Sequence, residues 1–263
     1  MGGNSGNKDG CFPGNHLPDS LDQWPSFDEV LSKGILLRKA TSWGNTDTFI
    51  LCTRNGTKYL LKTFARQPLL IRVLLGRISI RHEYKVLNFL EHKGFRYAPR
   101  AYRLLNQDSI LMEYITGDGP LLKKEKYAPE DCPPIEFFQT LIALMRNLHE
   151  MGVCHGDFRR ANILRYSRNE PVLIDWATAV LKYPRGKKLF LYRYLYKVMK
   201  RSDLYSLAAL VESYYPELLD AELQQHLVDL PWFLRLGRFL RQKFYRHFIK
   251  QWFGRKNNSS NIS

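Results

Sequence analysis

The chain is short of acid, and the shortage is uneven. Lys and Arg number 40 against 25 Asp and Glu, a formal net charge of +15 over 263 residues. No acidic residue stands between Asp175 and Asp203, and none follows Asp229. Such a balance points to an anionic partner: nucleic acid, an acidic membrane surface or a phosphorylated substrate. Cysteine is also scarce. Cys11, Cys52, Cys132 and Cys154 form no C-x-x-C pair, which argues against a disulfide frame and a zinc site of the usual spacing. No apolar run approaches the roughly 18 residues of a membrane-crossing helix, so none is expected. The first residues lack basic, apolar and cleavage regions in series, so no secretory leader is expected. Together these features predict a cytoplasmic chain.

What remains is ordinary globular material, 44% hydrophobic and long enough for one or two domains. Residues 1–24 are rich in Gly, Asn, Pro and Asp and read as a tail. Residues 255–263 read as a second, polar tail. Between them the pattern alternates first at strand period, then at helix period. Ile35 to Ala40, Thr48 to Thr53 and Lys58 to Phe64 read as strands. The last two are joined through Arg54-Asn55-Gly56-Thr57, since Asn-Gly tolerates the positive φ of a tight hairpin. Ala98 to Leu105 and Ser109 to Tyr114 read as two more. Arg81 to His92 predicts a helix with Glu83, Leu87 and Leu90 on one face. Residues 117–134 read as a boundary loop. Ile135 to Met151 predicts a helix with Phe138, Leu141, Ile142, Met145 and Leu148 at helical spacing.

Phe64 to Arg81 sets Arg at roughly helical intervals in an apolar background, with no acid. Two readings stay open. The segment lies on an anionic surface, or its apolar face packs on the sheet and its Arg face is solvated.

The chemistry concentrates in Val153-Cys154-His155-Gly156-Asp157-Phe158-Arg159-Arg160-Ala161-Asn162-Ile163-Leu164, followed by Pro171-Val172-Leu173-Ile174-Asp175-Trp176. Asp157 and Asn162 lie five apart on a tight loop, and Asp175 closes a strand-like run. Three hard oxygen donors brought together suit Mg²⁺ and phosphoryl transfer.

This order resembles the protein-kinase-like superfamily, whose catalytic loop reads H-x-D-x-x-x-x-N and whose metal Asp follows a short hairpin. Gly after His, and Asp-Trp in place of Asp-Phe-Gly, resemble the RIO kinases, the aminoglycoside phosphotransferases and the bacterial lipopolysaccharide sugar kinases. The resemblance implies an α+β, two-lobed kinase-like fold over 25–254. An antiparallel-sheet N-lobe would take about 25–116, and a short helical C-lobe about 117–254. It implies ATP and Mg²⁺ as cofactors. Asp157 would orient the acceptor hydroxyl, and Arg159 would stabilise the transferring phosphoryl. Asn162 and Asp175 would ligate the metal. Lys62 would grip phosphate, held by Glu83. The loop at 41–47, where only Gly44 survives of the glycine signature, would cover the phosphates. The main chains of Glu113 and Ile115 would meet adenine. His155 would brace the loop, and Asp203 would support it from the following helix, capped by Ser202. No Ala-Pro-Glu segment follows, unlike a conventional protein kinase.

Lys182 to Lys197 interleaves basic and aromatic residues, which suit sugar rings or bases and phosphate. Pro231 to Phe253 reads as an amphipathic helix for a membrane surface or for packing on the lobe. The expected activity is phosphorylation of an alcohol, first a sugar hydroxyl of a lipopolysaccharide-type glycolipid at the inner face of the inner membrane. The alternatives are a RIO-like serine/threonine kinase near ribosome or RNA, and a non-catalytic pseudokinase.

Overall fold

A computed structural model describes residues 24–41, 45–53, 56–167, 169–182 and 189–228. A short helix α1 (Phe27–Lys33) opens the fold, capped by the Ser26 side chain, which accepts from the Glu29 N–H at 3.1 Å. Strands β1 (Ile35–Arg38), β2 (Asp47–Cys52), β3 (Lys58–Thr63), β4 (Ala101–Asn106) and β5 (Ser109–Glu113) form one antiparallel sheet in the order β1-β2-β3-β5-β4. β4 begins three residues later than its composition suggests, just past Pro99, which has no N–H to give to a ladder.

Past the exposed edge strand β1, the sheet is covered on both faces. Phe49, Leu51, Tyr59, Leu61 and Leu111 pack with Val30 of α1. The alternate positions Ile110 and Met112, with Leu60 at their edge, join the main core. Lys62 is in the Leu60 set by strict period two, so its side chain points inward, beneath α3.

Helical structure between β3 and β4 is one run: α2 (Leu69–Ile71), a π turn (Arg72–Gly76) and α3 (Arg77–His92). α3 buries Ile80, Glu83, Val86, Leu87 and Leu90. After β5 the chain turns helical. α4 (Ile135–Glu150) buries Phe137, Phe138, Leu141, Ile142, Leu144, Met145 and Leu148. It delivers the chain to two small hairpins, β6 (Val153–Cys154) with β9 (Val180–Leu181), and β7 (Ile163–Arg165) with β8 (Pro171–Leu173).

α5 (Leu189–Tyr214) and α6 (Ala221–Val228) complete the described chain. Ser202 is therefore inside a helix, not capping one. Nothing between Leu189 and Tyr214 is Gly or Pro, so no residue stops the helix short. The architecture is α+β, a sheet lobe followed by a helical lobe. Gly44 and the stretch 231–253 lie outside the described residues. No helix among the described residues is long and apolar enough to cross a membrane.

Candidate active site

The loop between β6 and β7 is held by one buried carboxylate. Asp203, on α5, accepts the His155 N–H at 2.7 Å and the Gly156 N–H at 3.0 Å. Gly156 has φ +78°, and a Cβ there would lie 2.3 Å from the Thr178 carbonyl oxygen. Only glycine meets both conditions, which explains the Gly after His. The His155 ring is fully buried; its Nε2 lies 3.1 Å from the Ile174 carbonyl oxygen, and its centroid 4.7 Å from that of Trp176. Burial holds the imidazole below its ordinary value despite Asp203, Asp175 and Asp157 nearby. His155 is thus a neutral brace that donates from Nε2, and it ties the Asp157 loop to the Asp175 loop.

Asp157 sits at the mouth of that loop. Its Oδ2 accepts from Asn162 Nδ2 at 3.1 Å and from Arg159 Nε at 3.0 Å. Asn162 Nδ2 also donates to the Asp157 carbonyl oxygen at 2.9 Å. The amide nitrogen is thereby committed, which leaves its oxygen as a donor toward a cation. Asn162 is buried, and its main-chain carbonyl accepts the Ile174 N–H at 3.0 Å. Asp175 follows at once, in the left-handed region at φ 69°, ψ 71°. That strained turn directs its carboxylate to Lys62 Nζ at 3.2 Å. Trp176, fully buried, anchors the turn through its indole N–H to the Leu173 carbonyl at 3.0 Å.

Lys62 bridges two acids. Its ammonium meets Glu83 at 2.6 Å and Asp175 at 3.2 Å. Burial alone would lower the Lys62 pKa, but the two carboxylates outweigh it and hold it above its ordinary value. Lys62 in turn holds the Asp175 carboxyl below its ordinary value. Glu83 also accepts the Trp176 N–H at 3.2 Å, so the acid on α3 fixes both the lysine and the metal-loop turn. Lys62, Glu83 and Asp175 together carry surplus negative charge, and the Asp175 side chain is the exposed member at 31%. Hard oxygens beside surplus negative charge fit Mg²⁺, with Asn162 and Asp175 as its holders.

Arg159 is half-exposed and pairs with Asp157 at the mouth of the loop. It borders a cavity of about 610 Å³ that is also lined by Lys123, Lys126, Phe158, Arg160 and Tyr205. That basic lining was not read from the sequence, because Lys123 and Lys126 sit in a loop far from the motif. The hinge expectation needs one correction. The Glu113 N–H donates to the Arg100 carbonyl at 2.9 Å, because β5 pairs with the entry to β4 through that residue. That N–H is therefore taken up within the sheet. Ile115 is buried just beyond the strand end.

A family model of the RIO domain matches residues 58–201, more than half of the chain. The chain belongs to the RIO-domain family. The match runs from β3, with Lys62, through the Asp157 and Asp175 loops into α5. Among curated proteins it is 31% identical over 137 residues to the RIO-type serine/threonine-protein kinase Rio2 of Methanocaldococcus jannaschii, covering 51% of this chain and 48% of that protein. It is 28% identical over 121 residues to human myosin light chain kinase family member 4, covering 44% and 31%. It is 26% identical over 141 residues to rat myosin light chain kinase 3, covering 52% and 17%. The chain thus spans about half or less of the length of these relatives.

Proposed function

We propose that this RIO-domain chain is an ATP-dependent phosphotransferase acting on an alcohol. The observation that carries the reading is Lys62 held 2.6 Å from Glu83 and 3.2 Å from Asp175, three residues from three separate elements. A structural ion pair has no need of the third partner. Phosphoryl transfer does, because it relies on positioning and charge neutralisation more than on covalent chemistry.

In this reading Lys62 holds the α- and β-phosphate oxygens while Glu83 fixes its direction. Asn162 and Asp175 hold Mg²⁺, which when bound neutralises charge on the phosphates. Asp157 orients the acceptor hydroxyl and takes its proton. Its Oδ2 is already engaged by Asn162 and Arg159, so Oδ1 is the proton acceptor. Arg159 stands beside the carboxylate, close enough to share charge with the transferring group. The main chains of Glu113 and Ile115 lie on the adenine side.

For the acceptor, the basic cavity beside Asp157 and the absence of an Ala-Pro-Glu segment after Asp175 support an anionic small acceptor, first a sugar hydroxyl of a lipopolysaccharide-type glycolipid. The 31% identity to a RIO-type serine/threonine-protein kinase supports a second reading, a protein acceptor. Transfer of labelled γ-phosphate into a crude envelope extract separates them, with lipid and protein fractions counted apart and Asp157→Ala as control. Label in lipid that the variant loses supports the glycolipid. Label only in protein supports the second reading. Label unaffected by Asp157→Ala contradicts both.

A further inference from the structure

Residues 69–78 turn the expected pattern inside out. Leu69, Leu70, Val73, Leu74, Leu75 and Ile78 are exposed, Leu70 at 67% and Ile78 at 66%. The arginines of the same segment point inward instead. Arg72 and Arg77 both grip Asp108, a buried carboxylate in the turn between β4 and β5. Arg72 does so through Nε at 3.0 Å with Nη2 on the same oxygen, and Arg77 through Nε at 3.0 Å.

The π turn makes this geometry. Arg77 donates its N–H to the Arg72 carbonyl, closing a ring of five residues. Residues five apart then come round to one side, where an α-helix would hold them on different faces. Gly76 lets the turn lie on Phe64, since a Cβ there would sit 2.8 Å from its ring. Sheet turn, acid and glycine together fix the apolar side outward. The reading in which the apolar face packs on the sheet is corrected: the buried acid claims the arginines.

Beyond the apolar side, Ile78 is followed on the same face by Arg81 and Lys85, both exposed, at three- and four-residue spacing. From Thr48 to His82 the chain holds no acid at all. An apolar helix side edged by cations, within a stretch free of acids, is complementary to anionic headgroups over acyl chains. We propose that residues 69–78, with Arg81 and Lys85, dock the protein on an anionic lipid surface.

The test uses the full chain and co-sedimentation with vesicles of mixed phosphatidylcholine and phosphatidylglycerol, against phosphatidylcholine alone. The wild type is expected to partition to the mixed vesicles only. Combined Leu70→Gln, Leu74→Gln and Ile78→Gln should weaken partition at least about tenfold, and Arg81→Glu about fivefold. Amide hydrogen exchange of residues 69–78 in the wild type should slow when anionic vesicles are added, a reading that needs no variant. Asp157→Ala should bind vesicles like wild type, which separates docking from the catalytic reading. Unchanged partition of the triple variant would overturn the proposal, as would wild type that ignores both vesicles. A concentration-dependent dimer that the triple variant abolishes, without vesicle binding, would assign the face to a second copy instead.

Discussion

Two buried clusters of charge in this molecule have opposite arithmetic. At Lys62 one cation is shared by two carboxylates, Glu83 and Asp175. At Asp108 one carboxylate is shared by two cations, Arg72 and Arg77. The surplus at Lys62 is negative and, among the described residues, opens to solvent chiefly through Asp175, where a dication would complete it. The surplus at Asp108 is positive and rests on guanidiniums more than a quarter exposed, where water screens it. The first cluster is unfinished without a ligand. The second is finished within the protein, and its effect is to orient a helix. Burial of charge alone does not mark a site; an imbalance that presents a partly exposed carboxylate is the stronger sign.

The largest expected effect is at the first cluster. Asp175→Asn should lower phosphate transfer by roughly 10²–10³-fold, the usual scale for losing one transition-state electrostatic contact. It should leave thermal stability unchanged or slightly raised, because Lys62 and Glu83 remain a neutral pair. Paired transfer assays and melting curves read both quantities. Next is Gly156→Ala, where positive φ and the Thr178 carbonyl together should cost about 1–3 kcal/mol in urea unfolding. Its transfer rate should fall as well, because Asp157 follows directly.

Asp108→Asn should show the converse of Asp175→Asn, with stability down by about 1–3 kcal/mol and Mg-ATP binding intact. It also carries a pH signature. Burial pushes the Asp108 carboxyl up, but the two arginines outweigh this and hold it below its ordinary value. A depressed folded value contributes stability above the unfolded value of about 3.9, lost as pH falls through the folded one. Urea midpoints across acid pH should fall more steeply in wild type than in Asp108→Asn. The smallest effect is on the helix surface. Leu74→Gln should move stability by within about 0.5 kcal/mol, whereas Leu141→Ala in the buried face of α4 should cost about 2–5 kcal/mol.

The arrangement of the candidate site was legible because its determinants are local. His155, Gly156, Asp157 and Asn162 lie on one loop, and Asp175 follows after one hairpin. Lys62 was read through the resemblance, and strand period two places it with Leu60 on the inner face. The orientation of residues 69–78 was not legible, since it is set by Asp108, some thirty residues further on. A helix pattern read alone assigns apolar residues inward; a distant buried carboxylate reverses the choice. The length of α5 was missed for a related reason. Ser202 suits an N-cap by type, but the preceding turn continues the helix. The basic cavity was missed because its cations come from two separate stretches, Lys123 and Lys126 on one and Arg159 and Arg160 on the other.

The most direct measurement is calorimetric titration of ATP into wild type and Asp175→Asn, each with and without Mg²⁺. If the unbalanced cluster is a nucleotide-metal site, Mg²⁺ should strengthen ATP binding to wild type at least about tenfold, and Asp175→Asn should erase that gain. Equal affinity in all four titrations, or no binding to wild type with Mg²⁺, would contradict it.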